Sequence, residues 1–313
     1  MTCEVCNVDC QRFGKHRNGL RRFRCPQCKK TYTEPHARTL GQMYTSEEKA
    51  VLAIRLLVEG NSIRSTMRIT GLDRTTIARM LVLAGERCEQ LMADMIQNLQ
   101  VRDVEADELW GFVGMKEKAK GNLYKNVDTL GDAYTYVAME RSSKLILAWH
   151  LGKRNKQDTL QFIIKLRRAT KGVFQLSTDG WPSYPEAVEQ VFGSAIHYAQ
   201  LIKVYAASRD GEQRYSPAEV VDVEVVPRAG MPNWERVCTS HIERQNLSMR
   251  MQIRRLTRLT NGFSKKWDNL RAAVALHFAF YNLCRIHQTI RVTPAMEAGI
   301  ADHVWELKEL LAA

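Results

Sequence analysis

The sequence predicts a multidomain chain: a small cysteine-held ribbon, an all-α helix-turn-helix module, and an α/β domain with a mixed sheet. Three observations predict it. Two Cys-x-x-Cys pairs stand at Cys3/Cys6 and Cys25/Cys28. Helical periodicity follows up to about residue 100. From Val101 the pattern becomes short apolar strands interleaved with amphipathic helices. These shifts place the domains at 1–40, 41–100 and 101–313.

The first element is justified by its cysteines. Five of the eight cysteines fall within the first 28 residues, and 18 residues separate the two close pairs. This is the four-thiolate spacing of a zinc ribbon, in which each knuckle presents two thiolates to one ion. Zn²⁺ would then fold a segment too small to hold a core by itself. Cys10 and His16 are spare donors. Arg12, Lys15, Arg17, Arg21, Arg22, Arg24, Lys29 and Lys30 surround the knuckles, with Phe13, Phe23 and Tyr32 interleaved. Such a face suits nucleic acid, or alternatively the charged surface of a protein-docking zinc module.

The second element begins after Pro35 and Gly41. Thr45 and Ser46 can cap a first helix, with Glu47 and Glu48 in its first turn, running to Gly60. A short helix fits Ser62 to Ile69, Gly71 marks a turn, and Asp73 caps a third helix with Ile77, Leu81 and Ala84 inward. Helix, glycine turn, helix is the helix-turn-helix layout. Arg74, Thr75, Thr76 and Arg79 open the last helix, where a recognition helix meets base edges. The apolar stripe of Leu91, Met92, Met95 and Leu99 reads as core or as a linker helix.

The third element reads as strands at Val104–Val113, Ala133–Glu140, Leu145–Leu151, Val173–Ser177 and Ile196–Ile202. Helices fit Asp158–Ala169, Tyr184–Phe192 and a stretch from about Thr239. A polar stretch, Ser208 to Glu235, interrupts the pattern. Three acids stand out: Asp107 in EADELWGF, Asp179 in LSTDGWPSY and Glu243 in SHIERQNLSMR. Asp107 lies in a strand, Asp179 ends another, and Glu243 opens a helix. The chain carrying them has a net charge of +12, which favours a polyanionic partner. No run approaches the roughly 18 apolar residues of a membrane span. The polar, cysteine-rich start lacks a signal peptide's apolar core. A cytoplasmic protein without a membrane partner is expected.

With these motifs in place, the chain resembles DDE transposases of the insertion-sequence-one family. The ribbon and helix-turn-helix come first, then DELW at Asp107, TDGWPSY at Asp179 and HIERQN at Glu243. Tyr281-Asn282-x-x-Arg285-x-His287, followed by Thr293-Pro294, resembles a tail shared by many DDE enzymes. The resemblance implies a ribonuclease H-like catalytic domain, whose first and fourth strands are neighbours carrying aspartates and whose last helix brings the glutamate. It implies Mg²⁺ (or Mn²⁺) at Asp107, Asp179 and Glu243. It also implies double-stranded DNA as partner, both terminal inverted repeats and target, and a nucleoid-associated homodimer or larger assembly.

The chemistry suits those residue types. Phosphodiester displacement puts charge on the attacking and leaving oxygens, which two Mg²⁺ ions about 4 Å apart can hold. Magnesium prefers oxygen donors, so Asp and Glu serve and Cys does not. Arg250 lies seven residues beyond Glu243, on one helical face, and Arg254 and Arg258 extend it at steps of four. This file is expected to lay DNA across the metal site. The alternatives are a DNA-binding repressor or domesticated regulator without catalysis, and a nuclease without strand transfer.

Overall fold

Apolar residues alternating along strands and recurring every third or fourth position in helices build one six-stranded mixed sheet with helices on both faces. The computed structural model describes residues 1–16, 19–35, 40, 43, 45–205 and 220–312. Arg17, Gly41 and residues 208–219, read above from sequence, lie outside the described residues.

Strands β1 (Gln11–Lys15), β2 (Arg21–Arg24) and β3 (Thr31–Thr33) form a separate antiparallel sheet in that order. Helices α1 (Glu47–Val58), α2 (Ile63–Thr70) and α3 (Arg74–Met95) follow. Ser62 and Asp73 cap α2 and α3 through their side chains, whereas Ser46 makes no such bond to α1. Gly71 takes φ +70 between α2 and α3, a left-handed conformation that glycine adopts without strain. Leu91, Met92 and Met95 of the apolar stripe belong to α3, a single 22-residue helix, whereas Leu99 lies beyond its end in the following strand.

The short strands β4 (Leu99–Gln100) and β8 (Thr170–Lys171) pair in parallel. The main sheet contains β5 (Asp103–Val113), β6 (Gly131–Glu140), β7 (Ile146–Gly152), β9 (Gln175–Thr178), β10 (His197–Tyr205) and β11 (Val220–Ala229). Its order is β11-β10-β9-β5-β6-β7. β5, β6 and β7 are antiparallel neighbours, β9 runs parallel to both β5 and β10, and β11 is antiparallel to β10. The first and fourth strands read from sequence, β5 and β9, are therefore adjacent. β11 escaped the sequence reading because most of its residues are exposed, so no buried alternation marks it.

Helices α4 (Lys156–Ala169) and α5 (Tyr184–Phe192) cover one face, burying Phe162, Ile163, Leu166 and Val188 against Val104, Ala106 and Tyr136. Helices α6 (Ser240–Gln252) and α7 (Trp267–Leu283) cover the other, burying Ile242, Met249 and Phe278 against Leu109, Val113 and Val137. Two short helices, α8 (Pro294–Glu297) and α9 (Leu307–Ala312), close the chain. No helix among the described residues is long and apolar enough to cross a membrane.

α7 contributes to both cores, because Leu276 and Leu283 pack with α3 while Val274 and Phe278 pack under the sheet. At their crossing α3 and α7 nearly touch backbones: a Cβ on Gly85 would lie 2.4 Å from Ala272 Cα. Alanine is the better helix former by about 1 kcal/mol, but this clash is with backbone and cannot rotate away. Gly85→Ala is therefore expected to destabilise the fold by about 1–3 kcal/mol. Denaturant unfolding of the two proteins measures the difference.

Candidate active site

A notch in the sheet creates the site. β9 has 4 residues, but its parallel neighbours β5 and β10 have 11 and 9. Pairing to β9 ends at Ala106 on β5 and at Gln200 on β10. Beyond those residues the flanking strands run on with a gap between them. The chain leaving β9 is held back by Gln200, whose side-chain amide donates to the carbonyls of Asp179 (2.9 Å) and Trp181 (3.2 Å). Arg228 on β11 fixes that amide by donating to its oxygen at 2.8 Å. The notch is a cavity of about 570 Å³ lined by Asp107, Arg154, Asp179, Trp181, Lys203 and Glu243 among others. Its position, at the carboxyl ends of parallel strands, is where open α/β sheets bind ligands. A larger cleft of about 840 Å³ opens among Arg102, Gln175, His197 and Arg236, but the three acids do not line it.

Asp107 follows the last residue of β5 that pairs with β9, and Asp179 follows β9, so parallel register sets them side by side. One carboxylate oxygen from each of Asp107, Glu108 and Asp179 lies within 4.8 Å of the other two. Asp107 accepts from the backbone N–H of Glu108 and from Asn246 Nδ2, both at 2.8 Å. Glu108 accepts from Arg154 Nε at 2.8 Å and from the Tyr184 hydroxyl at 3.1 Å. Asp179 accepts from the Trp181 N–H at 3.1 Å and faces Arg154 Nη2 at 3.7 Å. The Arg154 guanidinium stacks over Trp181 at 4.3 Å, which holds it at the cavity wall.

Glu105 brings α6 to this place. It lies two residues before Asp107 on the same strand face and is buried. Its carboxylate accepts the N–H groups of His241 (2.9 Å) and Ile242 (3.1 Å) in the first turn of α6, and meets His241 Nδ1 at 2.7 Å. A carboxylate there satisfies orphan donors and the helix dipole together. One turn on, Asn246 reaches Asp107, and Glu243 faces the cavity. Glu243 accepts from the Thr239 hydroxyl at 2.7 Å and pairs with Lys203. It thus shares the cavity with the aspartates while its carboxylate is engaged outside their 4.8 Å cluster.

Burial pushes Asp107 up to about 7, and the charges of Asp179 and Glu243 add to the shift. Burial also lifts Glu108 to about 8, with Asp179 adding, against the opposing pull of Arg154. Asp179 is raised too, chiefly by burial. These carboxyls are short of positive charge and solvent, a deficit that a divalent cation relieves. The all-oxygen donor set fits Mg²⁺ or Mn²⁺.

The arginine file does not form as expected. α6 ends at Gln252, Arg254 lies in a 3₁₀ turn (Arg254–Leu256), and Arg258 follows in an exposed loop. The helix breaks because Ile253 and Leu256 turn inward to bury with Leu109 and Val113, and Leu256 packs against the bare Gly111. Arg250 donates to the carbonyls of Leu256 and Trp110, each at 3.3 Å, so it ties α6 to β5. Burial lowers it to about 10.

Around the small N-terminal sheet, the sulfurs of Cys3, Cys6, Cys25 and Cys28 all lie within 4.8 Å of one another. Cys10 and His16 stand outside that group, His16 meeting Thr33 Oγ1 at 3.0 Å. The Tyr32 hydroxyl, 3.1 Å from Cys3 Sγ, draws that thiol down to about 6. Such a set of thiolates can hold one tetrahedral metal ion. At the start of α3, Arg74, Thr75 and Arg79 are exposed, Thr76 is half-buried, and the Thr75 hydroxyl binds Asp73 at 2.5 Å.

Arg154, Lys203, Gln200 and Asn246 were not singled out by sequence. Asn246 carried a usable signal, since it lies three residues after Glu243 on the same helix. The others come from a turn and a strand whose proximity only the fold creates.

No family model matches this chain, and no curated protein matches it. Among solved structures it is similar to the piggyBac transposase synaptic complex with hairpin DNA, at 10% identity and a TM-score of 0.43, covering 88% of this chain and 71% of that one. It is also similar to a pre-cleavage Mos1 transpososome, at 13% identity and a TM-score of 0.19, covering 51% of this chain and 61% of that one.

The raised acids set a pH dependence. Asp107 titrates near 3.8 when unperturbed and near 7 when folded. Between those values the folded chain holds a proton that the unfolded chain releases, so metal-free stability falls as pH rises from about 4 to 7. Asp107→Asn is expected to raise the metal-free Tm at pH 8, by about 2–4 °C for each kcal/mol recovered, and to leave it nearly unchanged at pH 4. Melting curves in chelator at both pH values check this.

Proposed function

We propose that the protein is a DNA transposase of the DDE type, similar to the insertion-sequence-one family, which binds terminal inverted repeats and catalyses Mg²⁺-dependent strand cleavage and strand transfer. The observation that carries this reading is the meeting of Asp107 and Asp179 in a cavity that Glu243 also lines, in a chain of net charge +12. The strand order, with three antiparallel strands followed by parallel additions beside the first, supports a ribonuclease H-like domain. The four clustered thiols support a zinc ribbon. α2, the Gly71 turn and α3 support a helix-turn-helix that offers Arg74, Thr75, Thr76 and Arg79 to DNA.

Asp107 and Asp179 would hold divalent ions, with Glu243 joining when Lys203 releases it. The ions, when bound, supply charge stabilisation at the attacking and leaving oxygens. Asn246, donating to one Asp107 oxygen, and the Glu108 N–H, donating to the other, fix the rotamer of Asp107. Arg154, stacked on Trp181, is placed to meet a phosphate at the cavity wall. Exposed Arg258 and half-buried Arg254 offer positive charge along the loop beyond α6, and Arg250 supports that loop from beneath.

Strand transfer of a labelled terminal-repeat end with Mg²⁺ tests the reading. Asp107→Ala, Asp179→Ala and Glu243→Ala are each expected to lower the rate at least about a hundredfold, roughly 2.7 kcal/mol of barrier, while repeat binding persists. Full activity in all three variants rules out this site. Binding without cleavage by the unmodified protein leaves a DNA-binding regulator, and cleavage without joining leaves a nuclease. Arg79→Ala is expected to weaken repeat binding and to reduce the salt slope by about 1, as titrations at several salt concentrations would show.

A further inference from the structure

On the far side of Glu105 from Asp107, three side chains of different chemistry converge. They are Glu105 on β5, Cys238 in the turn before α6, and His241 in its first turn. One ligand atom from each lies within 4.8 Å of the other two. We propose that Glu105, Cys238 and His241 bind a zinc ion, separate from the ribbon and from the acidic cavity, which staples the start of α6 to β5.

The donor set points to zinc. A sulfur, an imidazole nitrogen and a carboxylate oxygen form a borderline-soft trio, suited to Zn²⁺ and poorly suited to Mg²⁺ or Ca²⁺. Zinc lies about 2.0–2.3 Å from such ligands, which puts tetrahedral ligand atoms about 3.3–3.8 Å apart. With all three atoms within 4.8 Å of one another, the longer separations close by about 1 Å while the 2.7 Å contact between Glu105 Oε1 and His241 Nδ1 opens. Water can fill the fourth position, because Cys238 and His241 are only half-buried while Glu105 is buried.

Three contacts already arrange these groups. Glu105 Oε2 is fixed by the two backbone N–H groups of α6, which leaves Oε1 directed at His241 Nδ1, 2.7 Å away. A metal ion would replace that single bond and leave the other two intact. Ser240 directs its N–H at Cys238 Sγ (3.4 Å), as Cys28 directs its own at Cys25 Sγ (3.5 Å) in the ribbon. The Ser240 hydroxyl lies 3.0 Å from the same sulfur.

Charge also favours an ion. The Glu105 carboxylate is buried, and among the described residues its side-chain partner is a histidine rather than a lysine or arginine. Lys144 senses Glu105 and Cys238 but directs its ammonium to the Arg141 carbonyl at 2.5 Å. Zn²⁺ with a thiolate, a carboxylate and a neutral imidazole makes a complex of zero net charge. Binding releases the thiol proton to solvent, and no bond to carbon changes.

Zinc content of the purified full-length protein tests the proposal. The unaltered chain is expected to hold about one more zinc per molecule than Cys238→Ala or His241→Ala, whatever the ribbon contributes. Cys284→Ala, a cysteine outside the trio, is expected to lose none. Cobalt gives a second readout. In a Cys3→Ser, Cys6→Ser, Cys10→Ser, Cys25→Ser, Cys28→Ser background, a thiolate-to-Co²⁺ charge-transfer band is expected, and adding Cys238→Ala removes it. Cys238→His keeps a ligand and is expected to regain the zinc without the band, which separates metal loss from misfolding. Equal zinc in the unaltered chain and Cys238→Ala, or a cobalt band that survives Cys238→Ala, overturns the site. These readouts are independent of whether the acidic cavity cuts DNA.

Discussion

The shortness of β9 between two longer parallel strands is the constraint on which the candidate site depends. A sheet that ended evenly would pair the backbone of β5 to its tip and leave no room beside Asp107. Here the chain turns away after Thr178, and its carbonyls are taken by the buried amide of Gln200 instead of by a ladder. Unpaired buried backbone groups cost on the order of 1–3 kcal/mol each, so this substitution is what makes an early strand end tolerable. It also gives β11 a purpose. That strand is mostly exposed and adds little core, yet Arg228 orients the amide that holds the turn.

A second requirement is that α6 cross the sheet at the right height, which rests on Glu105. The residue alternation of β5 puts Glu105 and Asp107 on one face, two positions apart. Glu105 grips the start of α6, and Asn246, from the next turn, grips Asp107. The two contacts together fix both the position and the rotation of the helix. Removing a buried carboxylate that bonds two N–H groups would leave those donors unpaired. On the same face of the sheet, α7 locks the assembly. Asn282, fully buried, exchanges two hydrogen bonds of 3.0 Å with the backbone of Ile146 on the edge strand β7, while Gly85 lets α3 lie against the other side of α7. The same helix thus ties the helical module to the sheet.

How much of this was legible in sequence depended on whether a local pattern carried the information. The sequence marks Tyr184–Phe192 with its observed bounds, and β5, β6 and β7 to within two residues, because Pro185 and Gly193 punctuate the two ends of the helix and short apolar runs bounded by turns mark the strands. α7 was missed as a helix because it is buried nearly all round, so no polar face gave it a period. β11 failed for the opposite reason, being exposed. The arginine file was extended too far because steps of four continue through Arg254 and Arg258, and nothing local told that Ile253 and Leu256 would be drawn into the core. At the site, motif residues Asp107, Asp179 and Glu243 were legible, and all three line one cavity. Arg154 and Lys203 were not, since a basic residue in a basic chain is no signal until the fold places it against a carboxylate.

Those two cations explain why Glu243 is found away from the aspartates. Asp107, Asp179 and Glu243 line one cavity with Glu108 beside the aspartates, and burial together with these neighbouring like charges opposes ionisation of Asp107, Glu108 and Asp179. Lys203 takes Glu243, and Arg154 takes Glu108 while leaning on Asp179. Both are anchored, Arg154 by Trp181 and Lys203 by its strand, so the compensation is built into the sheet rather than left to solvent ions. A dication held by Asp107 and Asp179 would take over part of that compensation, because it supplies the positive charge that burial denies these carboxyls. Glu243, held by Lys203 and Thr239 at the wall of the same cavity, would then be the acid nearest to hand for a further ligand position. The same crowding that raises the aspartyl groups is thus what would favour a cation among them.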